Sequence, residues 1–176
     1  SGYLINSSYL KYMQKQTKEK TIQYKEMTYD GFLTLRLIDS GSSSNVELIY
    51  EIDSGKIYII KKSKEMNDEI NKLNNREFQN YLNIKHPKFP RLYGTITINN
   101  IKNLIIEYID GQTLLNISSF HLSIDEKILI IFRILLIIQY LHEQNYVYRD
   151  LKPNNMFIMN IQKKHHLQLK LQKKEL

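Results

Sequence analysis

The chain has 176 residues, a formal net charge of +7 and no cysteine. This length corresponds to one or two small domains, and the lack of cysteine excludes disulfides and thiolate metal sites. The longest apolar run, Ile128–Leu141, is interrupted by Arg133 and Gln139 and is too short and too polar to span a bilayer. Without a recognisable signal peptide, the sequence predicts a cytoplasmic protein that does not associate with a membrane.

Both ends of the chain are polar and weakly patterned. Residues 1–30 are predicted to be an N-terminal extension, in which Leu10–Lys20 can form a marginal helix. Residues 162–176 carry five Lys and one Glu and form a basic C-terminal tail. Such a tail can bind nucleic acid. Because it is more often simply solvated, we expect no nucleic acid as a partner.

Residues 31–109 predict five strands with one helix inserted after the third. Period-two alternation indicates the strands, and Asp53-Ser54-Gly55 is a hairpin turn. The predicted strands are Phe32–Asp39, Val46–Ile52, Lys56–Lys62, Leu92–Ile98 and Asn103–Ile109. The helix is predicted over Glu65–Ile84. Its stripe at three- and four-residue spacing consists of Ile70, Leu73, Glu77, Tyr81 and Ile84.

Residues 110–161 predict a region that begins with helices, although Gln112–Phe120 is ambiguous. Ser123 and Glu126 match a capping box at the start of a helix that extends to about Glu143. This helix is apolar nearly all round, which is typical of a helix buried at the centre of a domain. After the helix, Met156–Met159 predicts a short strand.

The segment between that helix and that strand reads Tyr-Arg-Asp-Leu-Lys-Pro-Asn-Asn over residues 148–155. An ordinary polar turn with Pro as its breaker would be one interpretation. Six of the eight residues, however, match the catalytic loop of protein kinases. The matching residues are Arg149, Asp150, Leu151, Lys152, Pro153 and Asn155. The chain therefore resembles this family, and Lys at the second position after the Asp is the Ser/Thr-kinase form of the loop.

The resemblance implies an α+β, protein-kinase-like fold. Residues 31–109 would form a five-stranded antiparallel N-lobe with one helix, and residues 110–161 would form the first part of a helical C-lobe. ATP and Mg²⁺ would be the cofactors. The parent activity would be transfer of the ATP γ-phosphoryl group to a Ser or Thr hydroxyl of a protein substrate, and a regulatory protein partner is compatible with this interpretation.

The resemblance also assigns roles to charged residues. Asp150 would accept the proton of the substrate hydroxyl, Lys152 would offset charge on the phosphoryl group, and Asn155 would hold a magnesium ion. Residues 54–62 look like the strand that carries the phosphate-binding Lys, which would be Lys61. Glu77 would hold that Lys, because it matches the Glu of the helix in the N-lobe. Two unrelated charges are the alternative interpretation of that pair.

The segment 103–111 is similar to the hinge between kinase lobes. By that similarity, Ile106 would gate the back of the nucleotide pocket, and backbone groups from Glu107 to Ile109 would meet the adenine edge. Asp110 would reach the ribose, and Phe157 would lie beneath adenine. A plain strand and turn would have the same pattern without the other motifs.

Two departures affect the proposed nucleotide pocket. Residues 39–46 occupy the register of the glycine-rich phosphate loop, of which Gly41 and Val46 match. Asp39 stands at the first Gly position, where a carboxylate that points inward would repel phosphate. Ile59 stands where the family has a small Ala against adenine, and its extra bulk would crowd the pocket.

A third departure follows the strand-like segment 166–171. The sequence continues Gln-Lys-Lys-Glu-Leu, without the Asp-Phe-Gly motif that supplies the principal magnesium carboxylate in the family. Because Asn155 alone is a poor magnesium site, we expect little or no phosphotransfer by this chain alone. The alternative is a pseudokinase-like module that binds a nucleotide or a partner protein. The central helix is also expected to leave an apolar patch exposed.

Overall fold

A computed structural model describes residues 25–41, 44–64, 67–117, 122–159 and 168–171. Nine strands lie within these residues: β1 (Lys25–Met27), β2 (Phe32–Ser40), β3 (Ser44–Glu51), β4 (Lys56–Ser63), β5 (Leu92–Ile98), β6 (Ile101–Glu107), β7 (Gln112–Thr113), β8 (Met156–Met159) and β9 (Gln168–Leu171). The two α-helices are α1 (Asp68–Asn83) and α2 (Ile124–Glu143). The predicted helix Leu10–Lys20 lies outside the described residues.

Six strands form the sheet of the N-lobe, which we define as residues 25–107. Strands β2 to β6 pair antiparallel in the order β2-β3-β4-β6-β5, which confirms the predicted five-stranded sheet. Strand β1 adds a sixth strand parallel to β5, with Lys25 opposite Gly94. The sheet therefore begins inside the segment that was predicted to be an extension.

The two faces of this sheet carry separate apolar clusters, as alternation along β4 requires. Tyr58 and Ile60 belong to the outer cluster. Ile59 belongs to the inner cluster, where Tyr81 of α1 packs. Since successive side chains alternate, Lys61 projects from the inner face, which α1 covers.

Helix α1 begins at Asp68, three residues later than predicted. The side chain of Asn67 caps it by accepting a hydrogen bond from the backbone N–H of Ile70 at 2.8 Å. The predicted apolar stripe is partly wrong, because Leu73 is 53% exposed. Phe78 and Tyr81 make the contact with the inner cluster. The C-terminal half of the helix therefore holds it on the sheet.

The C-lobe, defined as residues 112–171, is built on α2. The predicted capping box is confirmed: Ser123 Oγ accepts from the Glu126 N–H at 3.2 Å, and Glu126 Oε2 accepts from the Ser123 N–H at 2.8 Å. One stripe of α2 packs against β8 and β9 in the largest apolar cluster. The buried residues of this stripe are Ile130, Ile137 and Leu141.

Other apolar residues of α2 face solvent, contrary to the prediction of a fully buried helix. Ile124, Ile128, Ile131 and Leu135, named here the α2 stripe, are between 57% and 68% exposed. Their exposure confirms the expected apolar patch.

Strands β7, β8 and β9 form a three-stranded antiparallel sheet below the junction of the lobes. The ambiguous segment 112–120 thus contributes a two-residue strand. Gly111 directly precedes this strand, at a position that has no room for a side chain. A Cβ there would lie 2.8 Å from the carbonyl oxygen of Ile158.

The segment that follows α1 joins the two lobes. Ile84 and Phe89 are buried in the apolar cluster of the C-lobe. The backbone N–H of Leu171 donates to the carbonyl of Lys88 at 2.8 Å. The end of α1 and the start of β5 are therefore anchored on the C-lobe, and β9 lies directly against this segment.

Candidate active site

The predicted pairing of Lys61 with Glu77 is confirmed. Lys61 Nζ lies 2.6 Å from Glu77 Oε1 and 2.5 Å from Oε2. The two side chains are only 14% and 12% exposed. A contact with both carboxylate oxygens fixes the ammonium more firmly than a single hydrogen bond does. The pair joins residues that are 16 positions apart, so the packing of α1 on the sheet creates it.

Glu77 has a buried tyrosine as a neighbour. Tyr81 follows it by one helical turn and is buried in the inner cluster. Burial first, and the charge of Glu77 second, raise the pKa of Tyr81 well above its ordinary value. The Tyr81 hydroxyl therefore stays neutral over the physiological pH range, and the charge of Lys61 is compensated by Glu77.

Beside the Lys61–Glu77 pair, the inner face of the sheet forms an apolar surface. Val46 pairs with Lys61 in register, and Ile106 pairs with Ile59. All three apolar residues belong to the inner cluster. The predicted pocket residues Val46 and Ile106 are thus on the same face as Lys61. Ile59, which replaces the small residue of the family, is 8% exposed and adds its bulk to this surface.

The predicted phosphate loop connects β2 and β3. The backbone N–H of Gly41 donates to the Ser44 carbonyl at 3.0 Å and ties the end of β2 to the start of β3. Asp39 lies opposite Val46 in the β2–β3 register. Directly opposed residues of an antiparallel pair point to the same face. The carboxylate at the first Gly position therefore lies on the face that carries Lys61.

The predicted hinge begins at the end of β6. Glu107 donates its backbone N–H to the Arg91 carbonyl at 2.8 Å. Tyr108, Ile109 and Asp110 continue as irregular backbone. Within the described residues, Ile109 makes no backbone hydrogen bond outside the strand ladders. Ile109 is the last of the three residues, 107–109, whose backbone groups the similarity to the family directs toward adenine. The side chain of Asp110 is exposed.

The loop after α2 holds the other predicted charges. Asn155 Nδ2 donates to Asp150 Oδ2 at 2.7 Å and to the Asp150 carbonyl at 2.9 Å. Lys152 Nζ lies 2.9 Å from Asp150 Oδ1. Asn155 is 2% exposed, and its backbone N–H closes a single 3-10 turn onto Lys152. The structure therefore brings the three predicted catalytic residues into direct contact.

Tyr148 anchors this loop in the C-lobe. It is 7% exposed and packs near Phe89, with ring centroids 6.4 Å apart. Burial, and then the charge of Asp150, raise the pKa of Tyr148 far above its ordinary value. A neutral, buried ring therefore fixes the start of the loop, at the position where the family more commonly has His.

The donors of this loop fit a hard cation only in part. Because Asn155 Nδ2 is engaged by Asp150, Oδ1 is the side-chain oxygen available to Mg²⁺. In the part of the chain that the structure describes, no group of three or more Asp, Glu or His side chains is arranged to hold a metal. Asn155 would therefore hold a magnesium ion only together with other ligands, which for Mg²⁺ in proteins usually include waters and substrate phosphates.

One contact near the hinge was not predicted. Lys170 of β9 forms an ion pair with Glu107, and their side chains are 12% and 23% exposed. Phe157, the residue predicted to lie beneath adenine, is the register partner of Lys170. The available signal was a single Lys between two leucines in β9.

The sequence of the chain matches known proteins. Residues 32–172 match the family model described as protein kinase domain. The chain belongs to the protein kinase family. It is 28% identical over 144 residues to developmentally-regulated protein kinase 1 of Dictyostelium discoideum, covering 79% of this chain and 20% of that protein.

Two further relatives are also named as protein kinases. The chain is 28% identical over 152 residues to cAMP-dependent protein kinase type 3 of Saccharomyces cerevisiae, covering 80% of this chain and 38% of that protein. It is 27% identical over 162 residues to serine/threonine-protein kinase OXI1 of Arabidopsis thaliana, covering 84% and 38%. The chain thus spans between about one fifth and two fifths of the length of these relatives. None of the helices in the described residues is long and apolar enough to cross a membrane.

Proposed function

We propose that this kinase-family chain binds ATP with Mg²⁺ between its two lobes and carries part of the machinery that phosphorylates Ser or Thr in a protein substrate. The Lys61–Glu77 pair is the observation that carries the proposal. An ammonium that a carboxylate holds on both oxygens is fixed in place for contact with phosphate groups. Val46 and Ile106 offer an apolar surface for adenine on the same face of the sheet.

The catalytic loop supports the transfer step. Asp150 would accept the proton of the substrate hydroxyl while the hydroxyl oxygen bonds to the γ-phosphorus and the bond to the β–γ bridging oxygen breaks, which releases ADP. Lys152, which lies beside Asp150, would offset charge on the transferred group. Asn155 would hold Mg²⁺, which neutralises phosphate charge when it is bound.

A second candidate function is binding without transfer. Asp39 on the face of Lys61 weakens the attraction for phosphates. Gln172 and Lys173 follow β9 where the family has its magnesium-binding Asp. Both features favour a pseudokinase-like module that binds a nucleotide or a protein partner. They are the reason that we expect a low rate of phosphotransfer from the chain alone.

Nucleotide binding is tested by thermal-shift titration with ATP, with and without Mg²⁺. We expect ATP to raise the melting temperature of the wild type, since a ligand stabilises the state that it binds. Lys61→Met should lose this shift. Lys56→Met is the matched control, because Lys56 is an exposed residue at the other end of the same strand. A wild type that ATP does not stabilise would overturn the proposal.

Phosphotransfer is tested separately with labelled ATP and a library of Ser/Thr peptides. Incorporation that disappears in Asp150→Asn and persists in Asp53→Asn would support catalysis by the loop. Asp53 lies in the exposed β3–β4 turn and serves as the control. ATP binding without incorporation would favour the second candidate function.

A further inference from the structure

The ion pair between Lys170 and Glu107 links the two lobes beside the hinge. Leu169 and Leu171, on either side of Lys170, are fully buried. Lys170 itself is 12% exposed and reaches from β9 to a carboxylate 63 positions away. Holding a Lys side chain in one conformation costs rotamer entropy, which the charge-assisted contact with Glu107 offsets. The ion pair therefore ties β9 to the end of β6.

Glu107 is held from two sides. Oε2 accepts a hydrogen bond from the Arg91 N–H at 3.1 Å, and Oε1 pairs with Lys170. The backbone N–H of Glu107 donates to the Arg91 carbonyl at 2.8 Å. Each carboxylate oxygen thus has its own partner, and the first residue of the hinge is tied to both the start of β5 and β9.

The register of the lower sheet connects this pair to the proposed adenine site. Lys170 lies directly opposite Phe157 in the β8–β9 ladder. Opposed side chains of an antiparallel pair share a face. The face that presents Phe157 therefore also presents Lys170, which extends to the hinge. The Lys170–Glu107 contact therefore connects the hinge to the pair of strands that carries Phe157, the residue predicted to lie beneath adenine.

A second lysine lies near this contact. The Lys88 carbonyl accepts the N–H of Leu171, which places Lys88 beside β9. Burial first, then the charges of Arg133 and Lys170, lower the pKa of Lys88. Lys170 thus has a cationic neighbour in Lys88, and Glu107 is its ion-pair partner. Loss of the Glu107 charge would leave Lys170 beside a like charge.

We infer that Lys170 is a positioning residue that sets the separation of the hinge from Phe157 by holding Glu107. This inference rests on the proposed function only for the identity of the ligand between these two surfaces. If the contact sets the width of the adenine slot, its loss weakens binding of the base and leaves binding of the phosphates unchanged. Lys61, by contrast, acts on the phosphates alone.

The test compares ATP with inorganic tripolyphosphate as ligands of the full chain. We expect Lys170→Met to weaken ATP binding about tenfold, which corresponds to the loss of one charge-assisted contact, without changing tripolyphosphate binding. Glu107→Gln should have the same effect, and the double variant no larger one. Lys170→Arg should retain most of the affinity. Lys61→Met should weaken both ligands equally.

Hydrogen exchange of the free chain separates this inference from the proposed function. Lys170→Met should speed exchange of the Glu107 amide about tenfold, and Lys56→Met should leave it unchanged. Unchanged exchange, equal loss of ATP and tripolyphosphate binding, or additive effects in the double variant would overturn the inference. If the wild type binds neither ligand, the proposed function fails, and faster exchange in Lys170→Met still supports the role of Lys170 at the hinge.

Discussion

Two lysine–carboxylate pairs of the candidate site, one in each lobe, differ in origin and in burial. Lys61 and Glu77 come from a strand and a helix, and both are nearly buried. Lys152 and Asp150 are two positions apart in one loop, and the Lys side chain is 52% exposed. The first pair exists only when the N-lobe is folded. The second is a local contact, which in the proposed function would be exchanged for contacts with a substrate.

This difference separates two requirements of a phosphate-transfer site. Phosphates that must be held in one place need a charge that the fold has already fixed. A residue that meets an incoming hydroxyl needs access to solvent. In the proposed function, Asp150 would meet both requirements, because Asn155 is buried and fixes one carboxylate oxygen while the other contacts the exposed Lys152. Four substitutions test this contrast, in order of decreasing expected effect.

Glu77→Gln should have the largest effect. It removes a charge and leaves the Lys61 ammonium unpaired at a position that is 14% exposed. We expect the free energy of unfolding to fall by about 3 kcal/mol, measured by urea denaturation. Glu143→Gln, at the exposed end of α2, should change it by less than about 0.5 kcal/mol. Equal effects of the two substitutions would mean that burial does not distinguish the pairs.

Gly111→Ala tests whether the frame beneath the catalytic loop is rigid. The new Cβ would lie 2.8 Å from the backbone oxygen of Ile158, which cannot rotate away. We expect a loss of about 2 kcal/mol in the free energy of unfolding. Gly31→Ala is the matched control, since a Cβ there has no neighbour within 4 Å. A neutral result at Gly111 would indicate that β7 and β8 separate easily.

Asp39→Asn should improve binding of ATP about threefold, because it removes a negative charge from the face of Lys61. Isothermal titration at low ionic strength measures this change. The gain should shrink as salt is added. Asp30→Asn, an exposed residue before β2, serves as the control. Unchanged affinity in Asp39→Asn would show that this carboxylate does not act on the phosphates.

Lys152→Met should have the smallest effect on stability. Exposed ion pairs contribute little, so we expect a change within about 0.5 kcal/mol in urea denaturation. Any phosphotransfer that the wild type shows should nevertheless fall. A large loss of stability would contradict the description of this pair as a local, exchangeable contact.

Much of the site could be predicted because its signals are local in sequence. The catalytic loop is one continuous string of residues, and the capping box of α2 spans four positions. Two periodicities, that of a strand and that of a helix, predicted that Lys61 and Glu77 lie on apolar faces, and the resemblance to the kinase family supplied their pairing. These patterns depend on backbone geometry, which the sequence determines within a few residues.

The missed features depend on contacts between distant segments. Strand β1 has three residues, too few for a period to appear, and it pairs with β5 far along the chain. Leu73 fits the apolar stripe of α1, yet it is exposed because the sheet contacts only the second half of the helix. Lys170 acquires its partner only when β9 reaches the hinge. No single segment contains this information.

The α2 stripe has a practical consequence for experiments on this chain. Its four residues follow a spacing of four, three and four positions, as in the contact seam of a coiled coil. Dyes such as ANS, whose fluorescence usually reports loosened packing, bind exposed apolar surface of this kind. We therefore expect the correctly folded protein to bind such a dye and to increase its fluorescence. A bright signal in a folding assay would describe its native surface and not a molten state.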